Sequence, residues 1–565
     1  MSVATETDAP LPSSTEQEEL NASPDRRGDH GKQAPLTRSL AQHASIVALA
    51  FIVSRILGLV REVILAYRFG TSGEYDAYLA AFRVPDLLFL IIMAGSFGAA
   101  FIPIFSGLLS RGETDRAWSL ASVVLTMAAI TMTLTAIIAF VFAGPLVRYV
   151  VAPGLQPEYQ RIATSTMRIL LLSPVFLGLG IAAKGILEAQ DLFTLPALAP
   201  IAYNLAIIAG AIILAPTYGV YGVAASVAVG AVGHLAVQTP GLIRSGLRFH
   251  PSLDLRTAGL SQVGRLLLPR VIGQAAFQIN FIAVTWFASR VGEGRVAALN
   301  YAWQLLMLPH GVVALSISTV IFPTMARQYD RGDIGALRQT VGQAVRPLLF
   351  LTFPASVLLF LLRVPIVQTL FQSGAFSGQS TKLVADPLAL LAMGLGSYAL
   401  VEVLTRAFYA MHDTRTPVIA GIIIIVANIG LSALFVGRWG HTALAMSLSL
   451  TTTYEALILL FVLRNRLGGV RLRELGWLGR LLAATAAMAV VTWAISIPLI
   501  DATEPGVAPR LVQLGLFGFG LGVAAGSFLF ACAVFNVPEL PQAARQITSR
   551  LPAVARLAAS MKRSH

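Results

Sequence analysis

Apolar segments of about 20 residues or more follow one another from residue 45 to residue 536, separated by short polar breaks. One helix of that length crosses the hydrocarbon layer of a membrane, which is roughly 30 Å thick. A membrane β-barrel would instead need segments of about ten residues in which apolar and polar positions alternate. The pattern predicts an all-α integral membrane protein with about 14 transmembrane helices.

Composition agrees with this interpretation. Of the 565 residues, 56% are hydrophobic and 12% are charged, whereas about 25% are charged in a soluble protein. The mean hydropathy is +0.73. The predicted spans, numbered one to fourteen in chain order, lie near 45–65, 77–107, 118–143, 164–189, 195–215, 219–241, 263–289, 297–326, 343–362, 384–409, 416–436, 440–463, 477–500 and 508–536.

The two halves of the span region share a pattern of prolines when one is shifted against the other by 220 or 221 residues. Pro103 then meets Pro323, and Pro196 meets Pro417. Six spans separate the members of each pair, an even number, so the two repeats run parallel in the membrane. Two facing lobes of this kind commonly enclose a central site that opens alternately to each side.

This pattern divides the chain into two six-helix lobes and four flanking segments. The predicted segments are a disordered cytoplasmic tail at 1–40, an N-terminal lobe at 41–241, an amphipathic cytoplasmic linker at 242–261, a C-terminal lobe at 262–464, two additional transmembrane helices at 465–536 and a basic cytoplasmic tail at 537–565. The first tail is predicted from its richness in Pro, Ser, Thr, Glu and Asp.

The net charge of +13 is concentrated in alternate loops. The loops near 108–117, 242–265, 327–342 and 464–480 and the C-terminal tail carry most of the arginine, and the loops between them carry much less. By the positive-inside rule this asymmetry places both termini in the cytoplasm, as an even number of spans requires. Membrane orientation therefore accounts for the basic excess, and no nucleic-acid partner is expected.

Several charged side chains lie in the first two spans, where each costs roughly 3 kcal/mol near the bilayer centre. Arg55 lies about eleven residues into span one, roughly 16 Å from its start. Glu62 shares its helix face at a spacing of seven, which would allow a pair through water, and Arg61 lies on a neighbouring face. Span two adds Asp76 and Arg83, again seven residues apart. These residues are either ion-paired packing groups or the wall of a cavity for an anion, since guanidinium binds phosphate through paired donors.

Span ten of the second lobe carries Glu402 and Arg406 at i, i+4, the orientation that favours a salt bridge within a helix. A structural role is the favoured interpretation for this pair. Five polar side chains in spans seven and eight either line a polar path or form hydrogen bonds between helices: Gln274, Gln278, Asn280, Asn300 and Gln304.

Enzyme signatures are missing from the sequence. The chain has no Walker A loop, no His-Glu-x-x-His and no Gly-x-Ser-x-Gly motif, and its single cysteine is Cys532. Direct use of ATP, a catalytic site, a metal centre and a cofactor are therefore not expected.

Three stretches carry a family resemblance: "FIVSRILGLVREVILAYRFGTSGEYDAYLAAFRVPDLLF" (51–89), "GSFGAAFIPIFS" (95–106) and "AFYAMHDTRTPV" (407–418). The sequence resembles the MurJ/MviN family of lipid II flippases, in the multidrug/oligosaccharidyl-lipid/polysaccharide exporter superfamily. The resemblance covers essentially the whole span region. It implies a flippase of the bacterial cytoplasmic membrane that carries the undecaprenyl-pyrophosphate-linked peptidoglycan precursor from the inner to the outer leaflet by alternating access, for cell wall synthesis.

The resemblance also implies roles for individual residues. Arg55 and Arg61 match the first-helix arginines expected around the pyrophosphate, Asp76 matches an essential acid, and Arg83 matches a basic position before Leu-Pro. Together with the lipid-linked pyrophosphate, membrane lipids are expected partners, and cell-wall synthesis enzymes are candidate partners.

Five residues, in four places, depart from the family pattern. The arginine expected in span two is Phe89, the acid expected before Gly-Ala/Ser-Phe is Ala94, the Asp-Arg pair expected in span eight is Trp303-Gln304, and an acid frequent in span seven is Val284. The last departure weakens the expectation of a sodium site. With these departures, the basic cluster of lobe one remains, and most of the charged residues that lobe two would contribute to the site are missing.

Three functions compete on this basis. A flippase for lipid II is favoured, with an exporter of another polyprenyl-pyrophosphate-linked glycan as its alternative. A cation-coupled drug exporter of the same superfamily would prefer an acidic cavity, against which Arg55, Arg61 and Arg83 argue. The third is a membrane scaffold without transport activity, whose cytoplasmic tails recruit cell-wall synthesis enzymes.

Overall fold

The computed structural model describes residues 34–92, 97–254, 256–257, 259–469, 475–504, 506–507 and 509–541, and all regular secondary structure in these ranges is helical. The predicted disordered tail falls mainly on residues 1–33, which lie outside the described residues, as does most of the predicted basic tail. Ala94 also lies outside them. The first described helix begins at Ala34.

The N-terminal lobe contains eight of the helices that the structure describes, with an irregular helical turn at 143–151 between the fourth and the fifth. They are α1 Ala34–Phe69, α2 Gly73–Ile92, α3 Phe97–Ser110, α4 Thr114–Val141, α5 Pro157–Leu170, α6 Leu172–Glu188, α7 Thr194–Ile213 and α8 Ala215–Arg244. Helices α7 and α8 pack together, with α1 against α7 and α6 against α8.

The rest of the described chain forms ten further helices. They are α9 Leu260–Val291, α10 Arg295–Asp330, α11 Ile334–Leu361, α12 Arg363–Phe371, α13 Gly378–Met393, α14 Leu395–Ala410, α15 Arg415–Trp439, α16 His441–Arg466, α17 Leu475–Ala502 and α18 Arg510–Val534. Helix α10 lies at the centre of the second lobe, against α11, α13 and α14. Helices α17 and α18 pack on each other and on the outside of α11 and α12.

Ten helical stretches among the described residues are long and apolar enough to cross a membrane, or eleven if α13 and α14, which meet at a bend of 48°, form one span. The all-α membrane fold predicted from the sequence is therefore confirmed. The number fourteen stays a prediction, because it also requires α1, the α2–α3 region and α9 to cross the membrane.

The linker between the lobes is an extended segment without regular secondary structure, and it runs along α4. The hydroxyl of Ser122 donates to the carbonyl of Arg248 at 3.2 Å and accepts from the backbone N–H of His250 at 3.1 Å. The backbone N–H of Ser252 donates to the Thr126 hydroxyl at 3.3 Å. These side chains on one face of α4 hold the linker to the first lobe.

The motif "HDTRTP" forms the connection between α14 and α15 and caps the latter helix. One carboxylate oxygen of Asp413 accepts from the backbone N–H groups of Arg415 and Thr416 at 3.0 Å each, and the other accepts from the Thr416 hydroxyl at 2.6 Å. Arg466, at the end of α16, forms an ion pair with the same carboxylate. The motif thus satisfies free N–H groups at a helix start and ties three helices together.

The Asp413 cap predicts a pH-dependent contribution to stability. Partial burial tends to raise the pKa of Asp413, but the hydrogen bonds from Thr416 and the charge of Arg466 outweigh it and hold the pKa below its ordinary value. A lowered pKa in the folded state stabilises the protein above the unfolded pKa of about 3.9, and the gain is lost as the pH falls through the folded value. We expect Asp413→Asn to lower the free energy of unfolding by about 1 kcal/mol at pH 7. Thermal unfolding in detergent at descending pH tests this, and an equal deficit at every pH would contradict it.

Candidate substrate site between the lobes

Arg61 of α1 is held in the interior of lobe one by two partners. Its Nη2 donates to Oε1 of Glu62 at 2.7 Å, and its Nη1 donates to Oδ1 of Asn204 on α7 at 3.1 Å. The side chains of Arg61 and Glu62 are 22% and 8% exposed. The spacing of seven allowed Glu62 to pair with Arg55, but the carboxylate lies on its sequence neighbour instead, because the long arginine side chain curls around the helix to reach it.

This pair predicts that Arg61 is needed for folding as well as for any ligand. Removing one partner leaves a charge without its counter-ion, which costs roughly 3–5 kcal/mol for a fully buried pair. We expect Arg61→Leu to cost about 2 kcal/mol, because Arg61 is partly exposed. The double variant Arg61→Leu with Glu62→Gln is expected to regain most of that stability, as measured by thermal unfolding in detergent. If the double variant is no more stable than the single one, the loss of stability in Arg61→Leu does not come from the unpaired carboxylate of Glu62.

Arg83 of α2 reaches from lobe one to lobe two. Its Nε donates to the hydroxyl of Thr285 on α9 at 2.8 Å, and its guanidinium carbon lies 5.5 Å from the centre of the Phe281 ring. With Trp303 of α10 it lines a pocket between the lobes. Asp86 follows Arg83 at i+3 on the same helix, close enough to offset its charge.

Arg55 differs from the other two arginines. Its side chain is exposed, and it makes no hydrogen bond or ion pair with any residue that the structure describes. Its guanidinium lies against α10 of the second lobe, at Gly311. Arg61 has Glu62 and Arg83 has Asp86 nearby, so the uncompensated positive charge of this region belongs to Arg55.

In lobe two, Glu402 and Arg406 of α14 form the ion pair that their spacing predicts. Arg406 donates to Oε1 of Glu402 through Nε at 3.0 Å and through Nη2 at 2.9 Å. Its Nη1 donates to the hydroxyl of Thr319 on α10 at 2.8 Å. Both charges of the pair are therefore satisfied within lobe two, as a structural salt bridge requires.

The polar side chains of span seven were predicted either to line a path or to bond between helices. Asn280 of α9 accepts a hydrogen bond of 2.7 Å from the side-chain amide of Asn428 on α15, and both residues are buried. Asn280 therefore bonds between helices, and together with Asn300 it also lines the pocket of Arg83 and Trp303. Val284, on the same helix, is an apolar residue packed at the edge of the main core.

Asp76 lies where the turn between α1 and α2 meets the start of α10. It is fully buried. Its Oδ2 accepts from the backbone N–H of Gly294 at 2.6 Å, and its Oδ1 accepts from that of Ala297 at 2.7 Å. The carboxylate of lobe one therefore caps a helix of lobe two, where both the free N–H groups and the helix dipole favour a negative charge.

Glu293 makes the reverse contact. Its Oε1 accepts from the backbone N–H of Gly73, at the start of α2, at 2.8 Å and from the hydroxyl of Tyr159 at 3.1 Å. Gly73 and Glu293 are 220 residues apart, the spacing of the internal repeat. Each lobe thus supplies an acid to the start of a helix in the other lobe. Asp76 is one of the predicted site residues, and Glu293 is not.

Further contacts close the same end of the bundle, which we call the closed end and define by residues 67–76, 289–297 and 372–380. The rings of Tyr75 and Tyr301, one from each lobe, stack at 5.4 Å. The hydroxyls of Thr71 and Ser380 lie 2.8 Å apart, and Ala375 donates to a backbone carbonyl of α1. Among the described residues, the hydrogen bonds between the lobes lie at this end, apart from the deeper contact of Arg83.

Comparisons with known proteins agree with this architecture. The family model described as "Lipid II flippase MurJ" matches residues 65–503. The lipid II flippase MurJ of Burkholderia cenocepacia is 31% identical over 435 residues, covering 76% of this chain and 84% of that protein. A probable lipid II flippase MurJ of Rhizobium tropici is 28% identical over 531 residues, covering 92% and 98%.

Solved structures show the same fold. One described as lipid II flippase MurJ in an inward closed conformation has a TM-score of 0.72 at 23% identity and covers 86% of this chain and 98% of its own. An inward-facing multidrug resistance MATE family transporter of the MOP superfamily has a TM-score of 0.64 at 17% identity and covers 75% and 98%. The family model spans well over half of the sequence, and the relative from Burkholderia cenocepacia is more than 30% identical over most of its own length. The chain therefore belongs to the MurJ family of lipid II flippases.

Proposed function

We propose that this protein translocates lipid II, the undecaprenyl-pyrophosphate-linked precursor of peptidoglycan, from the inner to the outer leaflet of the bacterial cytoplasmic membrane. Membership of the family supports the substrate. The observation that carries the mechanism is the guanidinium of Arg55, which lies between the two lobes with no ion-pair partner among the described residues. A pyrophosphate held there would supply the negative charge that those residues do not.

Alternating access follows from where the lobes touch. With both termini in the cytoplasm, as the arginine-rich loops indicate, the closed end faces the outside and the cavity is reached from the cytoplasmic side. Release to the outer leaflet then requires the contacts of Asp76 and Glu293 to break while the opposite ends of the lobes approach each other. Arg61 and Arg83 line the cavity wall, and Glu402 with Arg406 keeps the facing helices of lobe two in place.

Complementation tests the substrate. A strain depleted of its own lipid II flippase is expected to grow when this protein is expressed, because the protein replaces the lost transport. A variant that is expressed and inserted normally but carries Arg55→Ala is expected not to support growth. Failure of the well-expressed wild-type protein to restore growth would overturn the assignment to lipid II.

A second candidate substrate is another polyprenyl-pyrophosphate-linked glycan. Phe89 and Gln304, where the family pattern has arginines, favour it, because they leave fewer cations in the cavity than the family pattern for lipid II has. Purified protein that binds undecaprenyl pyrophosphate but transports a different lipid-linked glycan in place of lipid II would establish this alternative.

A further inference from the structure

Arg55 crosses the space between the lobes and ends on the backbone of α10. A Cβ atom added to Gly311 would overlap Nη1 of Arg55 and would lie 3.0 Å from both Cζ and Nη2. A real Cβ almost never comes so close to another heavy atom, so any other residue at position 311 displaces the guanidinium. Glycine at this position is what allows a side chain of lobe one to lie flat on a helix of lobe two.

The guanidinium has no hydrogen-bond acceptor among the residues that the structure describes. It carries five N–H donors and a charge that is not lost at any physiological pH. No residue that the structure describes accepts a hydrogen bond from these donors, whereas Arg61 and Arg83 each have hydrogen-bond partners. Since an unpaired charge is costly in an apolar setting, the arrangement fits an anion that enters from outside the protein.

His310 is the lobe-two side chain next to this position. It is half-buried and lies within electrostatic range of both Arg55 and Glu402. The carboxylate of Glu402 is already held by Arg406, and Arg406 is tied to Thr319. One ring nitrogen of His310 donates to the backbone carbonyl of Tyr398. The other ring nitrogen is the group of lobe two that can meet an anion beside the guanidinium, and it donates a hydrogen bond there when it carries a proton.

We infer that Arg55 and His310 form one anion site shared by the two lobes, with Gly311 as the residue that gives the guanidinium its place. The ligand is a phosphate of a lipid-linked pyrophosphate, and this identity rests on the proposed function. The site engages both lobes at once, so the bound phosphate holds the two cavity walls together beside the Arg55 contact. Gly311 and His310 thereby set the geometry of binding, and Gly311 acts by positioning Arg55.

Substitution of Gly311 tests the site in the purified full-length protein. Gly311→Ala is expected to weaken the binding of undecaprenyl pyrophosphate in detergent at least tenfold, because the methyl group displaces the guanidinium. Gly430→Ala is the matched control, since a Cβ at Gly430 meets nothing within 4 Å. It adds the same methyl group to another helix of lobe two and is expected to bind as the wild type does. Thermal unfolding of both variants separates a loss of binding from a loss of folding.

Two further variants sharpen the result. Arg55→Lys in the Gly311→Ala background is expected to regain part of the binding, because an ammonium group is narrower than the planar guanidinium. His310→Leu is expected to weaken binding several-fold, whereas His310→Gln, which retains an N–H donor, is expected to weaken it less. Wild-type binding by a folded Gly311→Ala protein would overturn the role of Gly311, and equal binding by His310→Leu and the wild type would overturn that of His310.

Two probes separate the possible sources of the phosphate. Undecaprenyl pyrophosphate and inorganic pyrophosphate are both expected to bind more weakly to Gly311→Ala, with the lipid binding more tightly because its tail buries apolar surface. Dependence on Gly311 for inorganic pyrophosphate alone would overturn the lipid-linked assignment. If binding of undecaprenyl pyrophosphate depends on Gly311 but the wild-type protein does not restore growth of the depleted strain, the proposed function is overturned and the anion site is retained.

Discussion

Replacing Arg55 with alanine is expected to reduce translocation about 100-fold while leaving the fold intact. A charged hydrogen-bonded pair costs roughly 2–5 kcal/mol when one partner is removed from a site that excludes water, and a tenfold change corresponds to about 1.4 kcal/mol. Arg55 makes no hydrogen bond or ion pair with a described residue, so its removal leaves none of those residues without a partner. The measurement is the initial rate of flipping of a fluorescent lipid II in vesicles that contain the purified protein.

Two further variants serve as controls for this result. Arg68→Ala removes an arginine from the last turn of the same helix, where the side chain is exposed, and is expected to flip at the wild-type rate. Arg55→Lys retains the charge but loses the fork of paired donors, so an intermediate rate is expected. A wild-type rate for Arg55→Ala would show that the charge has no part in transport.

Replacing Asp76 with asparagine is expected to open the closed end. The carboxylate accepts two backbone hydrogen bonds at 2.6 and 2.7 Å, and a hydrogen bond to a charged group contributes about 1.5–3 kcal/mol. The amide has only one acceptor oxygen and turns its NH₂ group toward a second backbone donor. A loss of about 3–4 kcal/mol would shift the ratio of closed to open protein by 10²–10³-fold.

A disulfide between Thr71→Cys and Ser380→Cys measures whether the two lobes are in contact at the closed end, because the two native hydroxyls lie 2.8 Å apart across the lobes. The background is Cys532→Ser, which removes the one native cysteine. Oxidation is expected to cross-link this pair readily, and far less when Asp76→Asn is added. Glu158→Gln, at an exposed acid in the first turn of α5, is the control and should leave cross-linking unchanged. Equal cross-linking with and without Asp76→Asn would show that the cap does not hold the lobes together.

Much of the fold and part of the site follow from the sequence because they depend on short-range geometry. The apolar segments predict helices that cross a membrane, and the spacing of four between Glu402 and Arg406 predicts a pair that forms on one helix. Proximity also accounts for Arg61 and Glu62, although a spacing of seven pointed to another partner. In each case the helix itself brings the groups together.

The contacts between the lobes could not be predicted in this way. The sequence marks Asp76 as an acid at the start of a span, but only the folded chain brings it to Gly294 and Ala297. The role of Glu293 could have been predicted, because an acid directly before a predicted helix start is a candidate cap. Gly311 carried no signal, because a glycine in a membrane helix acquires meaning only from the side chain that lies on it.

The charge of the cavity also differs from the one that composition indicated. Three arginines in two spans suggest a strongly basic wall, yet the acids of the same helices lie close to two of them. Of these three arginines, Arg55 is the one without an ion-pair partner among the described residues, and its guanidinium lies against α10 of lobe two. We therefore expect recognition of an anion to depend mainly on this charge and on the groups of α10 next to it.

Flipping measured with the purified protein tests the central claim most directly. Vesicles are prepared with fluorescent lipid II in both leaflets, and an impermeant quencher added outside reports the fraction that reaches the outer leaflet. The proposal predicts complete quenching with the wild-type protein. Over the same time, quenching with Arg55→Ala should stay close to about half, the value of vesicles without protein, because this variant flips about 100-fold more slowly. Quenching of about half with the folded wild-type protein, or complete quenching at the same rate with both proteins, would contradict it.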